Sequence, residues 1–338
     1  MADRGKYAPV SEGRGDGTSM RNGAGKEVLL VALGGNALIR PGERGTAEEQ
    51  LANLRLPMAQ LARLAEDFRL VITHGNGPQV GNLLLQQECC PDLPRMPLEI
   101  LVARTQGEIG YMIESTLESE LLALGGRRRH LVSLISYVVV DERDPAFREP
   151  TKPIGPVYGE TEAAGLPWPV RRTPKGFRRV VASPRPVSIV EKEEIHRLLA
   201  LDFIVVCCGG GGIPVIREGR AFHGVEAVID KDLASACLAT EVGVDLMVIA
   251  TDVPGVALDY GTPAERFLPS LALDEAERLL AAGQFPAGSM GPKVEAAIRF
   301  ARAGGRRAVI CPLDEIAAAV AGRAGTVIEG HHRRETGP

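Results

Sequence analysis

Val28–Ile39 reads VLLVALGGNALI, six aliphatic residues that break on Gly34-Gly35-Asn36 and resume as Ala37-Leu38. Val28 to Leu33 carries no polar side chain, the composition of a strand covered on both faces of a parallel sheet. Two glycines directly after it let the backbone turn sharply and approach a ligand with no Cβ in the way. Their N–H groups can then face an anion. Alone, the stretch is equally an ordinary strand-to-helix turn. The theme recurs, however, in LVITHGNGPQVG (70–81), FIVVCCGGGGIPV (203–215) and VDLMVIATDVPGV (244–256). The repetition predicts an α/β enzyme that handles phosphate.

The composition sets bounds on that reading. A chain of 338 residues has room for one large α/β unit or two lobes with ample core. A net charge of −4 argues against nucleic acid as the main partner. No apolar run approaches the roughly 18–20 residues that span a bilayer, and the N-terminal residues lack the apolar core of a signal peptide. Six cysteines, with adjacent pairs at Cys89-Cys90 and Cys207-Cys208, have neither zinc spacing nor the density of a secreted scaffold. They predict mostly buried thiols in a reducing, cytoplasmic setting. Of 39 basic residues only seven are lysine: Lys6, Lys26, Lys152, Lys175, Lys192, Lys231 and Lys293. Where arginine carries most of the surface charge, a retained lysine points to a need for a compact, rotatable ammonium. The base composition of the gene could produce the same bias.

Residues 1–26 are rich in Gly, Arg and Ser without hydrophobic period and are expected to be a disordered tail. Leu51, Leu54, Met58, Leu61 and Leu64 set an amphipathic helix over 47–66. His74, at the end of the strand at 70–72, could be a general base. Nothing near it looks like a nucleophile, so a histidine hydrogen-bonded within its loop is the simpler reading. Helix is expected over 98–124, a third strand over 131–140 and another helix over 189–199. Between them, prolines from Pro145 to Pro174 exclude long helices and central strands, so 144–182 is expected to project as a small lobe. That lobe holds Lys152 in the rigid frame PTKPIGP; a solvated loop lysine is the plain alternative. Four consecutive glycines, 209–212, predict backbone pressed against a ligand, or else a hinge. Lys231 stands between Asp230 and Asp232, an arrangement also found in surface salt-bridged clusters. Lys293 closes FPAGSMGPK before a helix over 294–303, and a last strand is expected over 308–311.

Taken together, nine stretches resemble the carbamate kinases of the amino acid kinase family. They are ALGGNAL (32–38), THGNGPQVG (73–81), VVVDERDPAF (138–147), PTKPIGPVY (150–158), RRVVASPRP (178–186), CGGGGIPV (208–215), GVEAVIDKDLAS (224–235), TDVPGV (251–256) and FPAGSMGPKVEAAI (285–298). They run in order over nearly the whole chain from Val28 onward. The resemblance implies a three-layer αβα sandwich with a mainly parallel central sheet and a small protruding subdomain. It implies reversible phosphoryl transfer between ATP and carbamate with Mg²⁺, in a cytoplasmic homodimer that binds small molecules rather than nucleic acid or membrane. It further implies a direction toward ATP, in the breakdown of carbamoyl phosphate derived from arginine or purines. Residues 27–239 would form the lobe for carbamate and the phosphoryl group, with 144–182 protruding, and 240–330 the nucleotide lobe.

By the same resemblance Lys152, Lys231, Asp232 and Lys293 are catalytic. Gly34, Gly35, Asn36, Gly75, Asn76, Gly77, Gly210 and Gly211 bind substrate and phosphate, and Thr251, Asp252, Val253, Met290, Gly291 and Lys293 bind nucleotide. No protein ligand for the metal is assigned. Ser136-Tyr137 departs from the family's expected Thr-Gln, with consequences for loop packing or for contacts to the acceptor. Relatives acting on amino-acid carboxylates carry lysine in the first glycine loop, where this chain has Asn36. The chemistry is coherent without the family: carbamate is already an anion, so its attacking oxygen needs no base, only relief of repulsion from the γ-phosphoryl group. The remaining alternatives are another acyl-phosphate-forming kinase of the family, or a sensor of carbamoyl phosphate or nucleotide without turnover.

Overall fold

A computed structural model describes residues 25–90, 92–125, 129–173 and 176–330. Residues 1–24, most of the expected tail, lie outside the described residues. The aliphatic stretch that opens the sequence is a strand, Val28–Leu33, buried at every position. It lies inside an eight-stranded sheet in the spatial order Ser270–Ala272, Thr326–Glu329, Arg307–Pro312, Leu246–Thr251, Val28–Leu33, Arg69–His74, Phe203–Val206, His130–Ser133. All neighbours are parallel except Arg307–Pro312 and Thr326–Glu329, which pair antiparallel.

The period of two along Val28–Leu33 shows why both faces must be covered. Val28, Leu30 and Ala32 join one hydrophobic cluster; Leu29, Val31 and Leu33 join another on the opposite face. The first cluster is closed by helices Lys192–Ala200, Lys231–Val242, Leu273–Ala281 and Met290–Arg302, through Ile195, Leu238, Ala276 and Val294. The second is closed by Ala47–Leu64, Leu98–Ala123 and Ile316–Val320, through Leu54, Met58, Ile109, Ile113 and Ile316. The result is the expected three-layer αβα sandwich. Helix Ala47–Leu64 starts on a capping box: Thr46 Oγ1 accepts from the Glu49 amide, and Glu49 accepts from the Thr46 amide.

The expected single strand over 131–140 is two strands in different sheets. His130–Ser133 ends the main sheet, while Tyr137–Val140 lies between Ile213–Glu218 and Pro186–Ile189 in a second sheet of four strands. The break is made by Ser136, which is fully buried. Its amide donates to Gln106 Oε1 at 2.8 Å and its hydroxyl accepts from the Cys208 amide at 3.0 Å. Its carbonyl accepts from Gln106 Nε2 and from the Ile213 amide. Hydrophobicity runs smoothly through the break, so period alone could not show it. The departure at Ser136 is thus a packing matter: its polar groups join helix Leu98–Ala123 to the glycine loop after Phe203–Val206. The helix expected over 189–199 begins later, at Lys192, because Pro186–Ile189 is a strand. The thiols also differ from expectation: Cys207, Cys208 and Cys311 are buried, but Cys89 and Cys90 are exposed at a helix end.

Residues 152–181 contribute a separate antiparallel sheet, with Gly176–Val181 between Lys152–Tyr158 and Val170–Thr173, and a short helix Glu160–Ala163. Its base is seated on the body: Ile154 and Val181 pack with Val80, Leu84, Leu98 and Leu101. Tyr158 donates to Glu88 at 3.1 Å. In the main sheet, strand Val28–Leu33 has Arg69–His74 on one side and the much later Leu246–Thr251 on the other. The chain order reverses there, and crevices outside the carboxyl ends of parallel strands at such a point are where α/β sheets bind ligands.

Candidate active site

The loops leaving the carboxyl ends of Val28–Leu33, Arg69–His74, Phe203–Val206 and Leu246–Thr251 meet at that reversal. The Gly34 amide donates to Ala250 O at 3.0 Å and the Gly75 amide to Leu33 O at 3.1 Å, which brings the first two glycine turns together. A cleft of about 280 Å³ opens there, lined by Gly35, Gly75, Asn76, Gly77, Gly210 and Lys152, and floored by Asp230, Lys231, Asp232 and Lys293. A second pocket, of about 170 Å³, is lined by Thr251, Asp252, Val253, Tyr260, Phe285 and Met290. Lys293 and Ser289 line both, so the two are adjoining compartments of one site.

The start of three helices faces the larger cleft: Gly77 opens Gly77–Cys89, Lys231 opens Lys231–Val242, and Ser289 directly precedes Met290–Arg302 without a side-chain cap. Aligned helix dipoles make such convergence favourable to anions, although the amides of Asp232, Leu233 and Gly291 already have acceptors within the protein. The glycine run wraps the far wall. Cys208 and Gly210 both have left-handed backbone, at φ 51° and 67°. A methyl on Gly210 would also run into the Asn76 amide, so the site needs glycine for conformation and for close approach alike. Asn76 is fixed in turn by Nδ2 donating to Thr105 Oγ1 at 2.8 Å.

Three of the four charged side chains on the floor form one ion cluster. Asp232 is buried, 3% exposed, and its two oxygens are divided between the lysines. Lys231 Nζ bonds Oδ1, while Lys293 Nζ bonds Oδ2 at 2.9 Å. Burial by itself would raise the Asp232 carboxyl, but the Lys231 and Lys293 ammoniums outweigh it and hold it down to about 2. Burial pushes the Lys231 ammonium below its ordinary value, against the pull of Asp232 and with the help of Lys293. Helix Lys231–Val242 is pinned from behind: Ser235 Oγ donates to Lys231 O at 2.6 Å and lies 2.7 Å from Thr73 Oγ1. The lobe lysine reaches the same floor, with Lys152 Nζ 2.8 Å from Asp230 Oδ2.

His74 does not act as a base here. It is buried, and its Nδ1 lies 3.0 Å from Gly75 O, which can only accept, so that nitrogen carries the proton. Nε2 abuts Gly209. Burial first, and the charge of Lys231 as a lesser cause, depress the imidazole to about 4 from 6.5, against the backbone hydrogen bond. A histidine neutral when folded and able to bind a proton when unfolded stabilises the fold fully above pH 6.5. That contribution falls away as the pH drops toward 4. A difference of roughly 2.5 units corresponds to about 3 kcal/mol. Denaturant titrations at pH 7 and pH 4 should show a loss of this order that His74→Gln lacks; an equal loss in both proteins would refute the assignment.

The structure brings Lys152, Lys231, Asp232, Lys293, Gly35, Gly75, Asn76, Gly77 and Gly210 to one cleft, and Thr251, Asp252, Val253 and Met290 with Lys293 to the other. Gly34, Gly211 and Gly291 line neither. Gly34 is held against Ala250 O, Gly211 against Ile229 O, and the Gly291 amide donates to Pro286 O. Asn36 is also outside: its Nδ2 donates to Asp252 Oδ2 at 2.7 Å, tying the first glycine loop to the Leu246–Thr251 turn. Sequence reasoning gave Asp230 no more than a place in a charged cluster. Its capping role was legible, since Asp before a helix start is a preferred N-cap. Phe285 and Ser289 lie within FPAGSMGPKVEAAI (285–298) with no role assigned to them there, and Tyr260 lies in no motif at all and is brought in only by folding.

Residues 27–312 match the amino acid kinase family. The chain belongs to that family. Among its relatives, the carbamate kinase of Pyrococcus horikoshii is 46% identical over 311 residues, covering 89% of this chain and 99% of that protein. The carbamate kinase of Haemophilus influenzae is 48% identical over 305 residues, covering 89% and 96%. Carbamate kinase from Giardia lamblia bound to AMP-PNP superposes with a TM-score of 0.84 at 38% identity, covering 91% of this chain and 100% of that one. The resemblance seen in nine separate stretches therefore extends along almost the whole chain. Its place in the amino acid kinase family makes this protein a phosphotransferase, with the αβα fold of its solved relatives.

Proposed function

We propose that this protein is a carbamate kinase, catalysing ATP + carbamate ⇌ ADP + carbamoyl phosphate. The observation that carries the reading is the Lys231–Asp232–Lys293 floor where the two compartments meet. A nucleotide whose adenosine lies among Thr251, Val253, Tyr260, Phe285 and Met290 would extend its phosphates toward Lys293. The γ-phosphoryl group then enters the cleft of glycine turns, where an anionic acceptor must approach it. Attack by a carbamate oxygen removes no proton, so the site has to supply positive potential rather than a base. Lys231 and Lys293 flank the transferring group, and Asp232 keeps both ammoniums aimed before substrate arrives, which avoids reorganisation during the reaction. Backbone amides at Gly35 and Gly77 lie on the acceptor side, the Gly75 amide being taken by Leu33 O, and Lys152 reaches in from the lobe. The start of helix Lys231–Val242 adds its dipole.

The described residues do not fit a resident magnesium site. They hold no group of three or more His, Cys, Asp or Glu placed to ligate a metal. Both Asp232 oxygens are taken by lysines, and Asp230 is taken by Lys152 and its helix cap. Mg²⁺ accordingly belongs to the substrate, as the metal–nucleotide complex. No described helix is long and apolar enough to cross a membrane. The reading includes a homodimer in the cytoplasm, running toward ATP in the breakdown of carbamoyl phosphate from arginine or purines.

The deciding assay is ATP formation from ADP and carbamoyl phosphate, set beside ADP formation with carbamate, acetylglutamate and aspartate as acceptors. Turnover confined to carbamate and carbamoyl phosphate is expected; preference for an amino-acid carboxylate, or no turnover with any of them, would overturn the reading. Closure of the lobe is a second expectation, because an acyl phosphate is labile and shielding it from water protects the transfer. The base of the lobe, with Ile154 and Val181, is packed on the body, so protection should concentrate in Val170–Thr173 and in the facing residues 176–179. Hydrogen exchange there should slow when ADP and carbamoyl phosphate bind; unchanged exchange would rule the closure out.

A further inference from the structure

Asp230 occupies a position that the reaction by itself does not call for. Its Oδ1 caps helix Lys231–Val242, accepting from the amides of Asp232 at 3.0 Å and Leu233 at 3.4 Å. Its Oδ2 takes Lys152 Nζ at 2.8 Å. The two side chains differ in freedom: the Asp230 side chain is 13% exposed and fixed by its cap, while Lys152 is 34% exposed on a flexible stem. Lys152 also comes from the lobe sheet, whereas Asp230 belongs to the floor with Lys231 and Asp232. Lys152, a lobe cation lining the anion cleft, is thus held by a carboxylate of the same cleft. An entering phosphoryl group would compete with that carboxylate for one ammonium.

We propose that Asp230 is a positioning residue that holds Lys152 in reserve on the helix cap and yields it to the anionic substrate on entry. The contact sets how readily the lobe lysine is recruited and keeps the lobe in register with the floor between turnovers. This rests on the cleft being the phosphoryl site. Asp230→Asn is the informative change, because asparagine caps a helix as well as aspartate does but offers Lys152 no charge. A partly exposed ion pair of this kind is weak, so its removal should tighten the anionic substrate by about two- to fivefold. Lys152 contacts the phosphoryl group before and during transfer. The KM for carbamoyl phosphate should therefore fall while kcat stays within about twofold.

The experiment is a double-mutant cycle on the full chain. Wild type, Asp230→Asn, Lys152→Ala and the double variant are compared by the KM for carbamoyl phosphate, and Lys152 acetylation is followed by mass spectrometry in the first two. The KM drop should vanish in the Lys152→Ala background, and Lys152 in Asp230→Asn should label several-fold faster because the reagent no longer waits for the contact to open. A KM drop that persists without Lys152 would mean that Asp230 acts only through the general potential of the cleft. Unchanged KM with unchanged labelling would mean that the contact holds nothing back. Either result overturns the proposal. Failure of the carbamate kinase reading would look different: no turnover in wild type, with the labelling comparison still deciding whether Asp230 restrains Lys152. Asp230→Ala, which also loses the cap, should lower the KM as Asp230→Asn does while adding a loss of stability.

Discussion

Lys293→Ala and Lys231→Ala should each lower kcat by at least about 10²–10³, the usual effect of removing one preorganised donor to a developing charge. Both ammoniums sit at the first turn of a helix and both are held by the same buried carboxylate, so their positions are set before substrate binds. An interaction made mainly with the spreading charge of the transition state is read in kcat, and nucleotide KM should move less. Arginine should rescue poorly, because both ammoniums are held close to one buried carboxylate and a large planar fork cannot act there as a compact point charge. Lys192 is the control. It pairs with Glu241 at 2.7 Å and Ser188 at 2.9 Å, away from the cleft, and its side chain is 37% exposed. Lys192→Ala should keep wild-type kinetics and lose no more than about 1 kcal/mol of stability. Near-full activity in Lys293→Arg, or equal losses in Lys192→Ala and Lys293→Ala, would show the roles to be wrongly assigned.

The second large effect is expected at Asp232. Removing the shared carboxylate leaves two buried ammoniums facing each other, and breaking a buried pair from one side typically costs about 3–5 kcal/mol. Asp232→Ala should therefore unfold at markedly lower denaturant concentration and lose turnover at least as severely as either lysine variant. Because the three groups act as a unit, adding Lys293→Ala to Asp232→Ala should bring back part of the lost stability rather than compound it. The acid limb gives an independent reading. A carboxyl depressed to about 2 from 3.8 stabilises the fold fully above pH 3.8, and that contribution disappears as the pH falls through 2. Equal stability of Asp232→Ala and wild type at pH 7 would remove the basis for treating the three charges as one device.

A parallel sheet covered on both faces was legible because its signals are local, whereas the three-layer sandwich was what the family resemblance implied. An unbroken aliphatic run such as Val28–Leu33 can satisfy both faces only inside a sheet covered twice, and glycine clusters at the ends of such runs mark where the chain must turn close to something. The scarcity of lysine drew attention to Lys152, Lys231 and Lys293, all of which reach the same cleft. The sequence by itself thus determined the layer architecture, the loops that build the site and the lysines that furnish it. Tertiary structure alone decided the rest. Period cannot register a strand that changes sheets, so the division at Ser136 waits on partners drawn from 106, 208 and 213. Adjacent glycines look alike in sequence, yet Gly35 and Gly210 line the cleft while Gly34 and Gly211 press on backbone. Asn36 finds Asp252, and Lys152 finds Asp230, across 216 and 78 residues. Such pairings depend on where the sheet order brings distant loops together, and that order follows from how the whole core packs rather than from any one stretch of chain.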